Sequence, residues 1–115
     1  MGMRDGEILE TALKLFRDVN QRRCRDVFFE PTEWSLSDWG VALAGEVGEA
    51  CNVVKKIRRN DFGTRGEGRD LLADELADVF CYLDHLAARA GIDLGAAVVR
   101  KFNEVSDKRG STVKL

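Results

Sequence analysis

The feature that most constrains this chain is the step at which its apolar residues recur. Ile8, Leu9, Ala12, Leu13, Phe16 and Val19 each have another of the set three or four residues away. That spacing lays side chains along one face of an α-helix and cannot line one face of a strand. The step returns at Leu72, Leu76, Val79, Leu83 and Leu86, and again at Ala97, Val98, Phe102 and Val105. Pro31 is the one proline, so little interrupts these runs. The spacing predicts helices over about 7–23, 36–59, 70–90 and 94–109. With no strand pattern, repeat or low-complexity tract, the expectation is an all-α four-helix bundle filling one domain, residues 1–115.

Local signals mark the helix ends. Ser35 followed three residues later by Asp38 reads as a capping box, and Asp38 adds negative charge where a helix N-terminus favours it. Lys55, Lys56, Arg58 and Arg59 cluster where the other end of the same helix favours cations. Gly91 suits a left-handed C-terminal cap, Asp93 an N-cap, and Gly110 a stop. Cys24–Glu33 loses the helical step, carries Pro31 and sets Phe28 beside Phe29; it reads as a loop with exposed or partner-covered aromatics. Asn60–Gly68, with three glycines, reads as a flexible connection within the domain.

Composition narrows the function classes. No apolar run approaches the roughly 20 residues of a membrane span, and the first residues, Met-Gly-Met-Arg-Asp-Gly-Glu, lack the apolar region of a signal peptide. Eighteen basic against twenty acidic residues leave a net charge of −2, which argues against nucleic acid or a membrane surface as the partner. Cys24, Cys51 and Cys81 form no C-x-x-C, so neither a disulfide framework nor a thiolate zinc site is expected, and a reducing cytoplasm is the natural setting. Cys51 and Cys81 read as small core fillers, and His85 as a partly exposed helix residue. A helical chain this short buries a modest core. Phe28, Phe29 and the first helix are therefore expected to form the interface of a homo-oligomer.

Four carboxylates break the apolar faces. Glu46 and Glu49 lie one turn apart on the stripe of Trp39, Ala42, Ala50, Val53 and Ile57, and Glu75 and Asp78 edge the Leu72–Val79–Leu83 face. Acidic pairs at this spacing commonly sit on solvated faces. Here, however, the positions four residues on are Ala50, Val53, Val79 and Tyr82, none of them basic. Burying such charges requires a basic partner or a divalent cation. An all-oxygen donor set favours Mg²⁺, Mn²⁺ or Ca²⁺ over zinc or copper. A di-iron centre is excluded, because it needs Glu-x-x-His on two helices and the chain has one histidine. Trp34 and Trp39 serve either as core or as stacking surfaces for a base. No P-loop and no G-x-G-x-x-G occurs.

Gly45-Glu-Val-Gly-Glu49, Asp74-Glu-Leu-Ala-Asp-Val-Phe-Cys-Tyr-Leu83, Ala90-Gly-Ile-Asp-Leu94 and Lys101-Phe-Asn103 together resemble, in order, the motifs of MazG-like nucleoside triphosphate pyrophosphohydrolases, of the all-α NTP pyrophosphatase superfamily. The likeness covers about residues 34–110. Gly45, where many members carry a further glutamate, is similar to the dCTP pyrophosphatase-like and integron-associated branch. The resemblance implies that Glu46, Glu49, Glu75 and Asp78 bind Mg²⁺, with Mn²⁺ as a substitute. It implies hydrolysis of an NTP or dNTP to monophosphate and pyrophosphate, in the service of nucleotide-pool sanitation. It also implies subunits paired as homodimers or homotetramers, with pockets completed by a neighbour. Tyr82 matches a position lining the nucleotide site, and the Trp34–Trp39 region one that stacks on the base. Lys101 and Asn103 match residues touching phosphate or sugar, although Val105 stands where the family's asparagine often lies.

In that scheme Lys56 and Lys101 are the candidates for charge on the leaving pyrophosphate, and Glu49 for the general base. Phosphoribosyl-ATP pyrophosphohydrolase and dimeric dUTPase share the superfamily and are the alternative activities. A non-catalytic helical interaction protein is the alternative from another class.

Overall fold

The structure, a computed structural model, describes residues 2–63 and 66–115. Helices α1 (Asp5–Val27), α2 (Leu36–Arg58), α3 (Glu67–Arg89) and α4 (Leu94–Lys108) follow in order, with a 3₁₀ turn at Pro31–Glu33. Among the described residues there is no strand, and the architecture is the all-α, four-helix one that the apolar step predicts.

The caps form as expected. Ser35 Oγ accepts from Asp38 N at 3.1 Å while Asp38 Oδ2 accepts from Ser35 N at 2.9 Å, the reciprocal pair that fixes where α2 begins. Asp93 Oδ1 accepts from Ala96 N at 3.1 Å and starts α4. Gly91 takes φ 70° after α3, a left-handed conformation that strains any side chain.

Two boundaries differ from expectation. Cys24–Val27 are helical rather than loop: Cys24 is buried, and its carbonyl accepts from both Phe28 N and Phe29 N at 2.9 Å. The apolar step fades there because Arg25, Asp26 and Val27 face solvent, not because the helix has ended. α3 starts at Glu67, so Gly68 belongs to the helix and not to the connection. A Cβ at position 68 would stand 2.7 Å from both Ile57 Cγ1 and Phe62 Cδ2; the missing side chain lets α3 begin hard against the end of α2. Thr64 and Arg65 of the expected flexible connection lie outside the described residues.

α2 and α3 run antiparallel along their lengths, with Gly68 beside Ile57 at one end and His85 stacked on Trp39 at the other. α1 crosses the C-terminal half of α3. There Asp84, 2 % exposed, accepts from Arg17 Nε and Asn20 Nδ2, each at 3.1 Å. α4 returns along the first half of α1, close enough at Gly95 that a Cβ would meet Glu10 Cα at 2.9 Å. α2 brings its backbone near α3 alone among the helices.

The result is an open molecule. Its radius of gyration is 17.0 Å, where about 13 Å is usual for this length. Its accessible surface is 8194 Å², against about 6,300 Å² for a compact monomer of this mass. Ile8, Val19, Leu76, Leu83, Val98, Phe102 and Val105, all expected to point inward, are exposed. Cys51, expected in the core, is exposed as well. The periodicity that identifies these faces is real, but no other described part of the chain covers them. No helix among the described residues is long and apolar enough to cross a membrane.

Candidate active site

Because α2 and α3 are antiparallel neighbours, a carboxylate pair at i, i+3 on one helix faces the pair on the other. One carboxylate oxygen each from Glu46, Glu75 and Asp78 lie within 4.8 Å of one another. Glu49 stands beside them, and its charge bears on both Glu46 and Glu75. Among the described residues none of the four pairs with a Lys or Arg. Glu46 Oε2 and Glu75 Oε2 are buried with no hydrogen-bond partner.

The electrostatics follow. Burial first, and then the negative charges of Glu49 and Asp78, hold the Glu46 carboxyl above its ordinary range. Glu75 is raised by burial, then by Glu49, and then by the charges of Asp78 and Asp74. Tyr82 is raised by burial and then by Glu46 and Asp78. A buried oxygen without a donor costs free energy that a cation would recover. The donor set fits Mg²⁺: all three groups offer hard oxygens, and an octahedral ion needs ligand oxygens about 3 to 4.2 Å apart, within a small side-chain adjustment of what is found.

A cavity of about 300 Å³ adjoins this cluster through Asp78. Phe29, Trp34, Trp39, Tyr82 and His85 wall it, and Arg23 brings a positive charge. Trp39 is 2 % exposed, donates from Nε1 to Pro31 O at 3.1 Å and stacks on His85 at 4.5 Å. It is therefore core and pocket wall at once. Trp34, half-buried, rests 4.6 Å from Trp39 and 4.8 Å from Phe29. Flat apolar walls with a few polar groups are what a nucleobase site requires.

The structure thus brings Glu46, Glu49, Glu75, Asp78, Trp34, Trp39 and Tyr82 to one region. It does not bring the rest. Lys56 lies two turns beyond Glu49 in the last turn of α2. Lys101 pairs with Glu104 at 3.3 Å on α4. Asn103 spends its side chain on the C-terminal tail, donating to Leu115 O at 3.1 Å and accepting from Leu115 N at 2.9 Å.

His85 corrects an expectation: it is 7 % exposed rather than partly exposed, because α1 and Trp39 cover it. Sequence reasoning also missed Arg23, Cys24 and Asp84. The available signal was positional. Asn20 and Cys24 continue the face of Phe16 at four-residue steps, so α1 keeps its buried side past the last large apolar residue.

No protein-family model matches the chain, and no solved structure matches it. Among curated proteins it is similar to Gene 37 protein of Mycobacterium phage L5, 37% identical over 75 residues, 64% of this chain and 66% of that protein. It is similar to dCTP pyrophosphatase 1 of Homo sapiens, 34% identical over 98 residues, 83% of this chain and 55% of that protein. The Mus musculus dCTP pyrophosphatase 1 is 33% identical over the same shares. The chain thus spans about two thirds of the phage protein and about half of the mammalian ones. With its four helices and paired carboxylates, the chain is similar to these dCTP pyrophosphatases over most of its length, which supports a dCTP pyrophosphatase-like, MazG-type branch.

Proposed function

We propose that the chain is a Mg²⁺-dependent hydrolase that converts nucleoside or deoxynucleoside triphosphates to monophosphate and pyrophosphate. The relatives named dCTP pyrophosphatase 1 make dCTP the first substrate to try. One observation carries the reading: two buried glutamate oxygens without partners, at a three-carboxylate cluster that opens onto an aromatic pocket.

Glu46, Glu75 and Asp78, with Glu49 beside them, would hold the ion. When bound, Mg²⁺ supplies countercharge for a triphosphate and acidifies water. The chain's own residues do the rest. Trp34, Trp39 and Tyr82 seat the base and keep water from it. Glu49, outside the tight triad, accepts a proton from the attacking water. Lys56, two turns along α2 from Glu49, and Lys101 carry positive charge for the far end of the polyphosphate, and Asn103 steadies α4 under Lys101 by holding the tail.

α4 does not approach α2 within one chain, so Lys101 serves this role across a homodimer or homotetramer interface. The uncovered apolar faces and the excess surface favour such an assembly. Removal of surplus or modified nucleotides in the cytoplasm is the cellular role that fits this chemistry.

The test is the purified chain with Mg²⁺ and a panel of canonical and modified NTPs and dNTPs, scored for both phosphate products. Equal amounts of monophosphate and pyrophosphate are expected. Orthophosphate alone would reject the reading.

A further inference from the structure

The chain's one histidine lies where the activity proposed above does not use it. His85 lines the aromatic cavity, stacked on Trp39 with ring planes 18° apart. Its Nδ1 stands 3.0 Å from Gln21 Nε2 of α1. With the Gln21 amide nitrogen turned to the ring, an NH₂ that can only donate, Nδ1 is the acceptor and this orientation places the ring proton on Nε2. Burial, the largest influence on this ring, holds it below the ordinary histidine range, with Arg23 and Arg17 adding to the effect and Asp84 opposing it. The ring is therefore neutral near pH 7, with one donor and one acceptor, and the acceptor is taken.

Among the described residues Nε2 has no protein partner, and it is not one of the buried, unsatisfied atoms. Its N–H is thus left without a protein acceptor among the described residues. The space that His85 borders is the cavity beside Asp78.

We propose that Gln21 and His85 form a base-reading pair, in which Gln21 fixes the ring as the Nε2–H tautomer and His85 donates a hydrogen bond to an acceptor on the edge of the bound base. This rests on the nucleotide-hydrolase reading and deepens it by naming a specificity-determining group. A pocket of about 300 Å³ with a fixed donor suits a single-ring base carrying a ring carbonyl, and so a pyrimidine nucleotide. A site built to hydrogen-bond such a group rejects ligands that leave the donor unpaired. Trp39 stacks on the ring and sets its plane, and Gln21 sets its protonation. Neither helix alone could do both.

The sole histidine makes the test direct, because ring-nitrogen NMR of the uniformly ¹⁵N-labelled full chain reports one imidazole. The free protein is expected to show a bare Nδ1 and a protonated Nε2. Millimolar dCMP or dUMP, without Mg²⁺, is expected to shift the Nε2 signal, and 2-deoxyribose 5-phosphate to leave it in place. A protonated Nδ1 in the neutral ring overturns the proposal. So does an Nε2 signal that dCMP and dUMP leave unmoved, or that the abasic sugar phosphate moves equally.

Kinetics give a second readout. His85→Gln keeps an N–H near the Nε2 position and is expected to hold KM for dCTP within about threefold. His85→Phe keeps the stack but not the donor, and is expected to raise KM about tenfold at nearly constant kcat. Equal KM values for the two variants count against base reading. Pyrophosphate release with an unmoved His85 signal would reject this inference while leaving the hydrolase reading intact. A shifted signal without pyrophosphate release would do the reverse.

Discussion

Arg17 Nε stands 3.1 Å from Asp84 Oδ1, and this pair joins α1 to α3 at a depth where the aspartate side chain is 3 % exposed and the arginine 25 %. Asn20 supplies the second carboxylate oxygen with a donor, and Arg17 Nη1 also reaches Ile92 O at 2.6 Å. The arrangement satisfies a buried charge from two sides and fixes α1 one turn from Cys81, which lines the pocket. Removing the cation strands the carboxylate. Arg17→Met is expected to lower stability by about 3 kcal/mol, and the double change Arg17→Met with Asp84→Leu to recover most of the loss. Urea unfolding of the three proteins measures both.

Neutral replacements at the carboxylate cluster should separate fold from chemistry. Glu46→Gln and Asp78→Asn are each expected to cut turnover by about a hundredfold or more. In metal-free buffer the melting temperature of Glu46→Gln should stay level or rise, because the change removes a charge that the fold leaves uncompensated. Mg²⁺ is expected to raise the melting temperature of the unaltered chain and to leave that of both variants in place. Full activity in either one would remove that residue from the site.

The pH dependence has two opposed parts. Glu46 and Glu75 bind protons more tightly folded than unfolded. Their share of stability is complete below the unfolded value of 4.5 and is lost as pH rises through the raised native value. His85 binds its proton less tightly folded. Its share is complete above the unfolded value of 6.5 and is lost as pH falls through the lowered native value. As pH rises from 4.5 towards 6.5 in EDTA, the glutamates should therefore lower the urea midpoint while His85 raises it. Glu75→Gln should weaken the lowering only, and His85→Gln the raising only.

The two tryptophans should respond differently. Trp39→Ala opens a cavity under Phe29, Trp34 and His85 and is expected to cost about 3–5 kcal/mol. Trp34→Ala, at a half-buried position, should cost less stability and chiefly raise KM. Paired denaturation and steady-state kinetics distinguish the two, and equal stability losses would make Trp34 a core residue as well.

What the sequence reveals divides along physical lines. Caps at Ser35, Asp93 and Gly91 are readable because their partners lie within a few residues. The carboxylate faces are readable because helical geometry alone aligns Glu46 with Glu49 and Glu75 with Asp78. The Asp84–Arg17–Asn20 knot and the Gln21–His85 contact are not, since each depends on where α1 crosses α3 some sixty residues away. Phe102 and Val105 mark a real apolar face, but periodicity cannot tell a surface covered by the same chain from one left open.

α2 is held by its seam with α3, and the acidic groups sit on both banks of that seam. Whatever neutralises them also stitches the two rods together. A bound cation would then act as a clasp, and amide protons around Glu46 and Glu75 would exchange more slowly when it is in place. Loading the site and stiffening the hairpin would be one event, so that the platform under the aromatic pocket becomes rigid only when there is something for it to hold.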